Sequence, residues 1–266
     1  MIKTGILGMG NMGEAILKAL LDSGFDKKAI FGAEAKSSRA EFIKTTYGVN
    51  CSQKPEEIAG KADYIIVAVK PQDSKTLLRA IAPALTDKKV LISIMAGITT
   101  SSILSTVGKP VKVVRAMPNI CVKVGEGAIG LAPNQMVDAG EVEEVKKMLV
   151  PLGKIIDVNE DLMDAVTALG GSGPAFFLLF LEAMIDGGVK LGIPRDKATV
   201  LSTQVIKGTL RMLEVEGIHP VLLKEMITSP GGTTIAGLAS LDEGALKGRL
   251  IRAIEEACKR SKELSA

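Results

Sequence analysis

Two short stretches of this chain carry residues whose types and spacing can do chemistry. The first is Ser229-Pro230-Gly231-Gly232-Thr233-Thr234, followed by an apolar run from Ile235. Two glycines free the backbone to turn inward, and two threonines then open a helix. Unpaired N–H groups and three hydroxyls can thereby converge on one small anion. An ordinary helix N-cap is the plainer account of the same residues. The second stretch is Gly8-Met9-Gly10-Asn11-Met12-Gly13, set between a short apolar run and a helical pattern. In that setting Gly8 permits a tight turn, Gly10 lets a pyrophosphate approach the backbone, and Gly13 lets helix pack on strand. The chain thus reads as holding a dinucleotide near its start and a small acid near its end.

Further residues bear on the cofactor. Glu34 stands 21 residues after Gly13, where an acid commonly binds the ribose diol of NAD. Lys36, Ser37, Ser38 and Arg39 follow at once, and a basic, hydroxyl-rich loop suits a 2′-phosphate. NADP is the expected cofactor, with NAD as the alternative. Three apolar runs end in Val69-Lys70-Pro71, Ile94-Met95-Ala96-Gly97 and Arg115-Ala116-Met117-Pro118-Asn119. Ligands of open parallel sheets lie beyond such strand ends. Lys70 and Asn119 can donate to a nicotinamide ribose or carboxamide there, while Pro71 and Pro118 also serve simply as strand terminators. Gly170-Gly171-Ser172-Gly173-Pro174 is either a helix break or a backbone approached closely by substrate or a neighbouring helix.

Composition narrows the function classes. Aromatic residues make up 3% of the 266 and the net charge is only +3, with the basic residues dispersed, so no nucleic-acid partner is expected. His219 is the only histidine, which excludes a multi-histidine metal site, and its place before Pro220 suits a capping or surface role. No metal is expected. Cys51, Cys121 and Cys258 match neither a zinc spacing nor a redox pair, and they point to a reduced cytoplasm. The apolar run Pro174–Leu181 stops at Glu182, too short to span a bilayer, so no membrane partner is expected. A strand and its glycine turn occupy the first thirteen residues, leaving no expected signal peptide.

The elements that must position these residues follow from periodicity. Strands are expected at Ile2–Leu7, Ala29–Ala35, Val49–Cys51, Asp63–Val69, Val90–Met95, Val111–Arg115, Gly125–Leu131 and Lys154–Val158. Alternating with helices, they indicate a Rossmann-type, doubly wound parallel α/β sheet over residues 1–160. Residues 161–266 show helical periodicity only, at Leu162–Leu169, Pro174–Leu191, Arg195–Glu216, Pro220–Met226, Thr233–Leu241 and Glu243–Leu264. So apolar a helical domain can gain stability against another subunit.

Taken together, Gly8–Gly13, Ala68-Val69-Lys70-Pro71-Gln72, Arg115–Asn119, Gly171-Ser172-Gly173-Pro174-Ala175 and Ser229–Thr234 resemble the pyrroline-5-carboxylate reductase family essentially end to end. The chain departs from the family pattern at Ile120-Cys121, Gly170, Phe176 and Glu34-Ala35. The resemblance implies reduction of a cyclic imine to proline by NADPH, with NADH as the alternative. It further implies a small imino-acid substrate and an intertwined dimer that can assemble into a ring of dimers. Ser229, Gly231, Gly232 and Thr233 are then expected to hold the substrate carboxylate, and Thr234 to reach the ring nitrogen. Gly8, Gly10, Asn11, Met12 and Gly13 would hold the pyrophosphate. Lys36, Ser37 and Arg39 would lie at the adenosine end, and Ala68, Val69, Lys70, Pro71, Ala96 and Asn119 near the nicotinamide. Two other readings remain: a reductase of another cyclic imine or small hydroxy acid, which predicts a catalytic lysine on the helix that Lys190 ends, and a non-catalytic nucleotide sensor.

Overall fold

The computed structural model of the chain describes residues 2–265. It separates into two compact units, one running to Gly171 and taking in the tail from Ala257, the other Ser172–Glu256.

The first unit is built on one eight-stranded sheet. In chain order its elements are β1 (Thr4–Leu7), α1 (Asn11–Asp22), β2 (Ile30–Ala33), α2 (Ser37–Tyr47), β3 (Asn50–Ser52), α3 (Pro55–Lys61), β4 (Tyr64–Val67) and α4 (Ser74–Ile81). There follow β5 (Val90–Ser93), α5 (Thr100–Val107), β6 (Lys112–Met117), β7 (Gly127–Pro133), α6 (Ala139–Leu149), β8 (Gly153–Asp157) and α7 (Met163–Val166). The strand order is β3-β2-β1-β4-β5-β6-β7-β8, so the chain reverses its direction of growth between β1 and β4. That crevice is where an open sheet of this kind takes its ligand. Strands β1, β4 and β5 are buried along their whole length, as their unbroken apolar runs require. One core, around Ile16, Leu17, Ile66 and Val114, packs one face, and a second, around Ile58, Ile65, Leu91 and Ile103, packs the other.

The expected Rossmann-type sheet is present with one reversed pair. β6 and β7 run antiparallel, while the other neighbours are parallel. The link between them holds only a 3-10 turn, Ile120–Val124, which is too short for the crossover helix that a parallel pair needs. The α6 crossover then returns β8 parallel to β7. A second difference lies after α7. Where periodicity predicts plain helix to Leu169, Thr167–Gly171 forms a π-helical turn. Such turns free backbone carbonyls, and the Gly170 carbonyl accepts a hydrogen bond from the Asn119 amide at 3.0 Å.

The second unit is helical: α8 (Gly173–Lys190), α9 (Arg195–Glu216), α10 (Pro220–Met226), α11 (Thr233–Glu243) and the start of α12 (Leu246–Ser265). The break between α11 and α12 falls at Gly244-Ala245, where Ala245 takes a left-handed φ of 53°. α8 has no buried residue, and α9 buries only Ala198 and Ser202.

Candidate active site

The glycine turn leaves β1 and opens α1. Gly8 has φ 95°, and a Cβ there would stand 2.8 Å from the Ala68 carbonyl oxygen and from Val69 Cγ1. This closeness brings the loop after β4 against the turn, so Ala68 and Val69 adjoin Gly8. A Cβ on Gly13 would collide with the Gly8 carbonyl. Gly10 differs, because nothing lies within 4 Å of where its Cβ would be. The turn is therefore tight on its inner side and open at Gly10. Gly10 caps α1, with Glu14 N–H bonding the Gly10 carbonyl at 2.9 Å. The N–H groups of Asn11 and Met12 stand in the unpaired first turn beside this opening, a fit for a pyrophosphate.

The loop after β2 is drawn onto that turn. Glu34 accepts the Met9 N–H at 3.0 Å on one carboxylate oxygen and the Lys36 N–H at 3.1 Å on the other. Arg39 donates from Nε to the Met9 carbonyl at 2.8 Å and pairs with Glu14. It also lies over the Phe42 ring, 4.9 Å from its centroid. The Tyr47 hydroxyl donates to Glu14 at 2.7 Å. Burial works to raise the Glu14 carboxyl, but the bonds from Arg39 and Tyr47 and the Arg39 charge outweigh it and hold the group below its ordinary range. Burial, reinforced by the bond to Glu14, pushes the Tyr47 phenol up to about 12. Of the three residues expected to read a 2′-phosphate, Lys36 and Ser37 face solvent and Arg39 is turned onto α1. Glu14 was absent from the expected set, since nothing in its spacing links it to Arg39.

Beyond the other strand ends, Lys70 is exposed and precedes the 3-10 turn Pro71–Asp73, while Ala96 is half-buried in the loop after β5. Asn119 is 8% exposed, and its side chain is already engaged. Besides the bond to Gly170, its Oδ1 accepts the Cys121 N–H at 3.1 Å. Asn119 thus ties the end of β6 to the π-helical turn, leaving one amide hydrogen for a ligand. Sequence reasoning missed a neighbouring cluster. Arg115, 6% exposed, donates to Glu160 Oε1 at 3.1 Å, and the same oxygen accepts the Thr100 N–H at 2.6 Å. The available signal was an arginine inside an apolar strand. Among the described residues, the buried hydroxyls of Ser93 and Thr100 have no hydrogen-bond partner.

In the second unit, the Ser229–Thr234 segment forms the expected turn. The Gly232 N–H bonds the Ser229 carbonyl at 3.1 Å, and Gly231 has φ 68°. With Pro230 ahead of that glycine, this is a type II turn. The first backbone bond of α11 is Ala236 N–H to the Gly232 carbonyl at 3.4 Å, so the N–H groups of Thr233, Thr234 and Ile235 have no partner inside the helix. Among the described residues, the hydroxyls of Ser229, Thr233 and Thr234 make no hydrogen bond, and Gly232 receives no side-chain cap. His219 caps α10 instead, its Nδ1 accepting the Val221 N–H at 3.3 Å. Lys190 is the last residue of α8. Among the described residues no group of three His, Cys, Asp or Glu could hold a metal.

Comparison with known proteins identifies the family. A family model for pyrroline-5-carboxylate reductase dimerisation matches residues 160–264, and one described as NADP oxidoreductase, coenzyme F420-dependent, matches residues 3–97. A pyrroline-5-carboxylate reductase of Synechocystis is 37% identical over 99% of this chain and 98% of its own length. Among solved structures, a pyrroline-5-carboxylate reductase from Coxiella burnetii superposes with a TM-score of 0.94 at 33% identity, covering 100% of this chain and 99% of that one. A Plasmodium falciparum pyrroline carboxylate reductase with NADP bound gives 0.88 at 34% identity, covering 100% and 98%. This chain belongs to the pyrroline-5-carboxylate reductase family.

Proposed function

We propose that the chain reduces pyrroline-5-carboxylate to proline with a reduced nicotinamide dinucleotide, NADP being the cofactor named for the Plasmodium falciparum relative. The cofactor, when bound, supplies the hydride that reaches the imine carbon. The chain's own residues bind, orient and supply hydrogen bonds. Backbone N–H groups at Gly8, Gly10, Asn11, Met12 and Gly13 hold the pyrophosphate. Lys36, Ser37 and Arg39 border the adenosine end, and Ala68, Val69, Lys70, Pro71, Ala96 and Asn119 border the nicotinamide.

The observation that carries the substrate assignment is the turn at Ser229–Thr234, with its hydroxyls and N–H groups unspent. Ser229, Gly231, Gly232 and Thr233 hold the carboxylate, and the half-buried Thr234 hydroxyl bonds the ring nitrogen directly or through water. An imine nitrogen is a far better base than a carbonyl oxygen, so no strong side-chain acid is required. Positioning supplies most of the acceleration.

Residues 161–266 then form the substrate and dimerisation domain, supported by the match of 160–264 to a dimerisation model. Dimers closing into a ring are the further assembly we propose. The helical stretch Glu160–Lys190 is long and apolar enough, by length and composition, to cross a bilayer. We assign its apolar surface to a second copy of the chain. The free thiols of Cys51, Cys121 and Cys258 fit a cytoplasmic enzyme.

The test is oxidation of NADPH by pyrroline-5-carboxylate, with proline measured as product, beside other cyclic imines and small hydroxy acids. Proline formation with preference for this imine is expected. Turnover of another substrate in its place would remove the assignment.

A further inference from the structure

We infer that Glu34 sets the cofactor choice of this chain, so that its adenosine site accepts NADH at least as readily as NADPH. The inference rests on the dinucleotide reading of the glycine turn given above.

Met9 N–H and Lys36 N–H reach separate oxygens of the Glu34 carboxylate, one from the glycine turn and one from the start of α2. Backbone donors at such a helix start are what an incoming phosphate would use. Here they already serve an anion that belongs to the chain. Each carboxylate oxygen uses one acceptor direction on these bonds and keeps another, enough to receive the two hydroxyls of an unmodified ribose. A 2′-phosphate carries about two negative charges and would meet this fixed carboxylate at close range.

Cationic relief is limited. The Arg39 guanidinium donates to the Met9 carbonyl and is paired with Glu14, which also holds the Tyr47 hydroxyl. Its charge is neutralised before any ligand arrives. Lys36 is exposed, so its ammonium must be immobilised from solvent to help. Glu34 itself has no ion-pair partner among the described residues. The same loop that reads from sequence as half NAD-like and half NADP-like therefore has its acid aimed at the site and its arginine aimed away.

The experiment is equilibrium titration of NADH and of NADPH fluorescence with the free enzyme, without imine, alongside steady-state kinetics with each cofactor. The wild-type Kd for NADH should be no weaker than that for NADPH. In Glu34→Gln, which keeps the shape and removes the charge, the affinity ratio should move at least tenfold towards NADPH. Tighter NADPH binding by wild type would overturn the inference without any variant, as would an unchanged ratio in folded Glu34→Gln. Failure of both dinucleotides to bind would instead overturn the cofactor reading of the glycine turn, and the inference with it.

Discussion

The two units of this chain treat their apolar residues in opposite ways. In the sheet unit, Ile6, Leu7, Ile16, Ile65, Ile66 and Val113 are wholly enclosed. In the helical unit, Leu178, Leu179, Val200 and Val215 stand 59%, 68%, 71% and 62% exposed, and α8 encloses nothing. At about 25 cal/mol per Å² of apolar surface withdrawn from water, the first unit has gained its stabilisation within one chain, while much of the second unit's remains to be gained. Large apolar side chains exposed in such number mark an interaction region, and residues 160–264 match a family model for dimerisation. The sheet unit is thus self-contained. The helical unit is half of something.

The sharpest way to break this contrast is within the glycine turn, where fold and function separate. Gly13→Val drives side-chain atoms into the Gly8 carbonyl, and a strained, overpacked core position of this kind costs about 3 kcal/mol or more. Its melting temperature should fall steeply. Gly10→Val meets open space, so it should melt near the wild-type temperature yet show no cofactor binding in a fluorescence titration. Retained binding in Gly10→Val would remove the pyrophosphate from this turn.

The helical unit is probed by charge. Leu179→Lys, at a side chain 68% exposed in the single chain, should leave the helix content intact and abolish the dimer at micromolar concentration. A buried unpaired ammonium costs several kcal/mol, more than most interfaces can absorb at one position. Unchanged mass by light scattering would mean that this face of α8 is ordinary surface, and the contrast between the units would weaken.

Smaller in effect is Thr234→Ala. Losing one hydrogen bond near the reacting nitrogen should lower kcat/KM by about 10- to 100-fold, corresponding to ~1.4–2.7 kcal/mol. Cofactor affinity should stay as it was, since that belongs to the other unit. Wild-type kinetics for this variant would take the nitrogen away from Thr234.

Most of the sheet unit was legible because its signals are local. An apolar run, a glycine turn and a helical period each occupy adjacent residues. The reversal at β7 was not, because direction depends on how little chain joins it to β6. In the helical unit the Ser229–Thr234 turn was readable from Pro230 and Gly231, whose chemistry fixes the turn type. What no spacing reveals is side-chain partnership across the fold. The basic loop shows Arg39 beside a candidate phosphate site, but not that Glu14, 25 residues earlier, pairs with it. Asn119 looked like a nicotinamide donor, and most of its side chain proves to be tied to Gly170 and Cys121.

Alkaline pH distinguishes the units more gently. Burial raises the Cys51 thiol from 9.0 to about 11, and burial together with Glu14 raises the Tyr47 phenol from 10.0 to about 12. Tyr64 shifts in the same direction for the same reason of burial. For an acid whose folded value lies above its unfolded one, the unfolded chain releases its proton first. The stabilisation is therefore whole below about pH 9 and drains away as pH rises through 9–11 for the thiol and 10–12 for the phenol. All three groups lie in the sheet unit, and Ser172–Glu256 contains neither tyrosine nor cysteine. Melting followed between pH 8 and 11 should show the sheet unit losing stability over this window. In Tyr47→Phe the decline should be shallower at its upper end, because the phenol no longer titrates. If wild type and Tyr47→Phe decline in parallel, the Tyr47–Glu14 bond is not what sets that end of the window, and the coupling drawn between α1 and α2 is weaker than the geometry indicates.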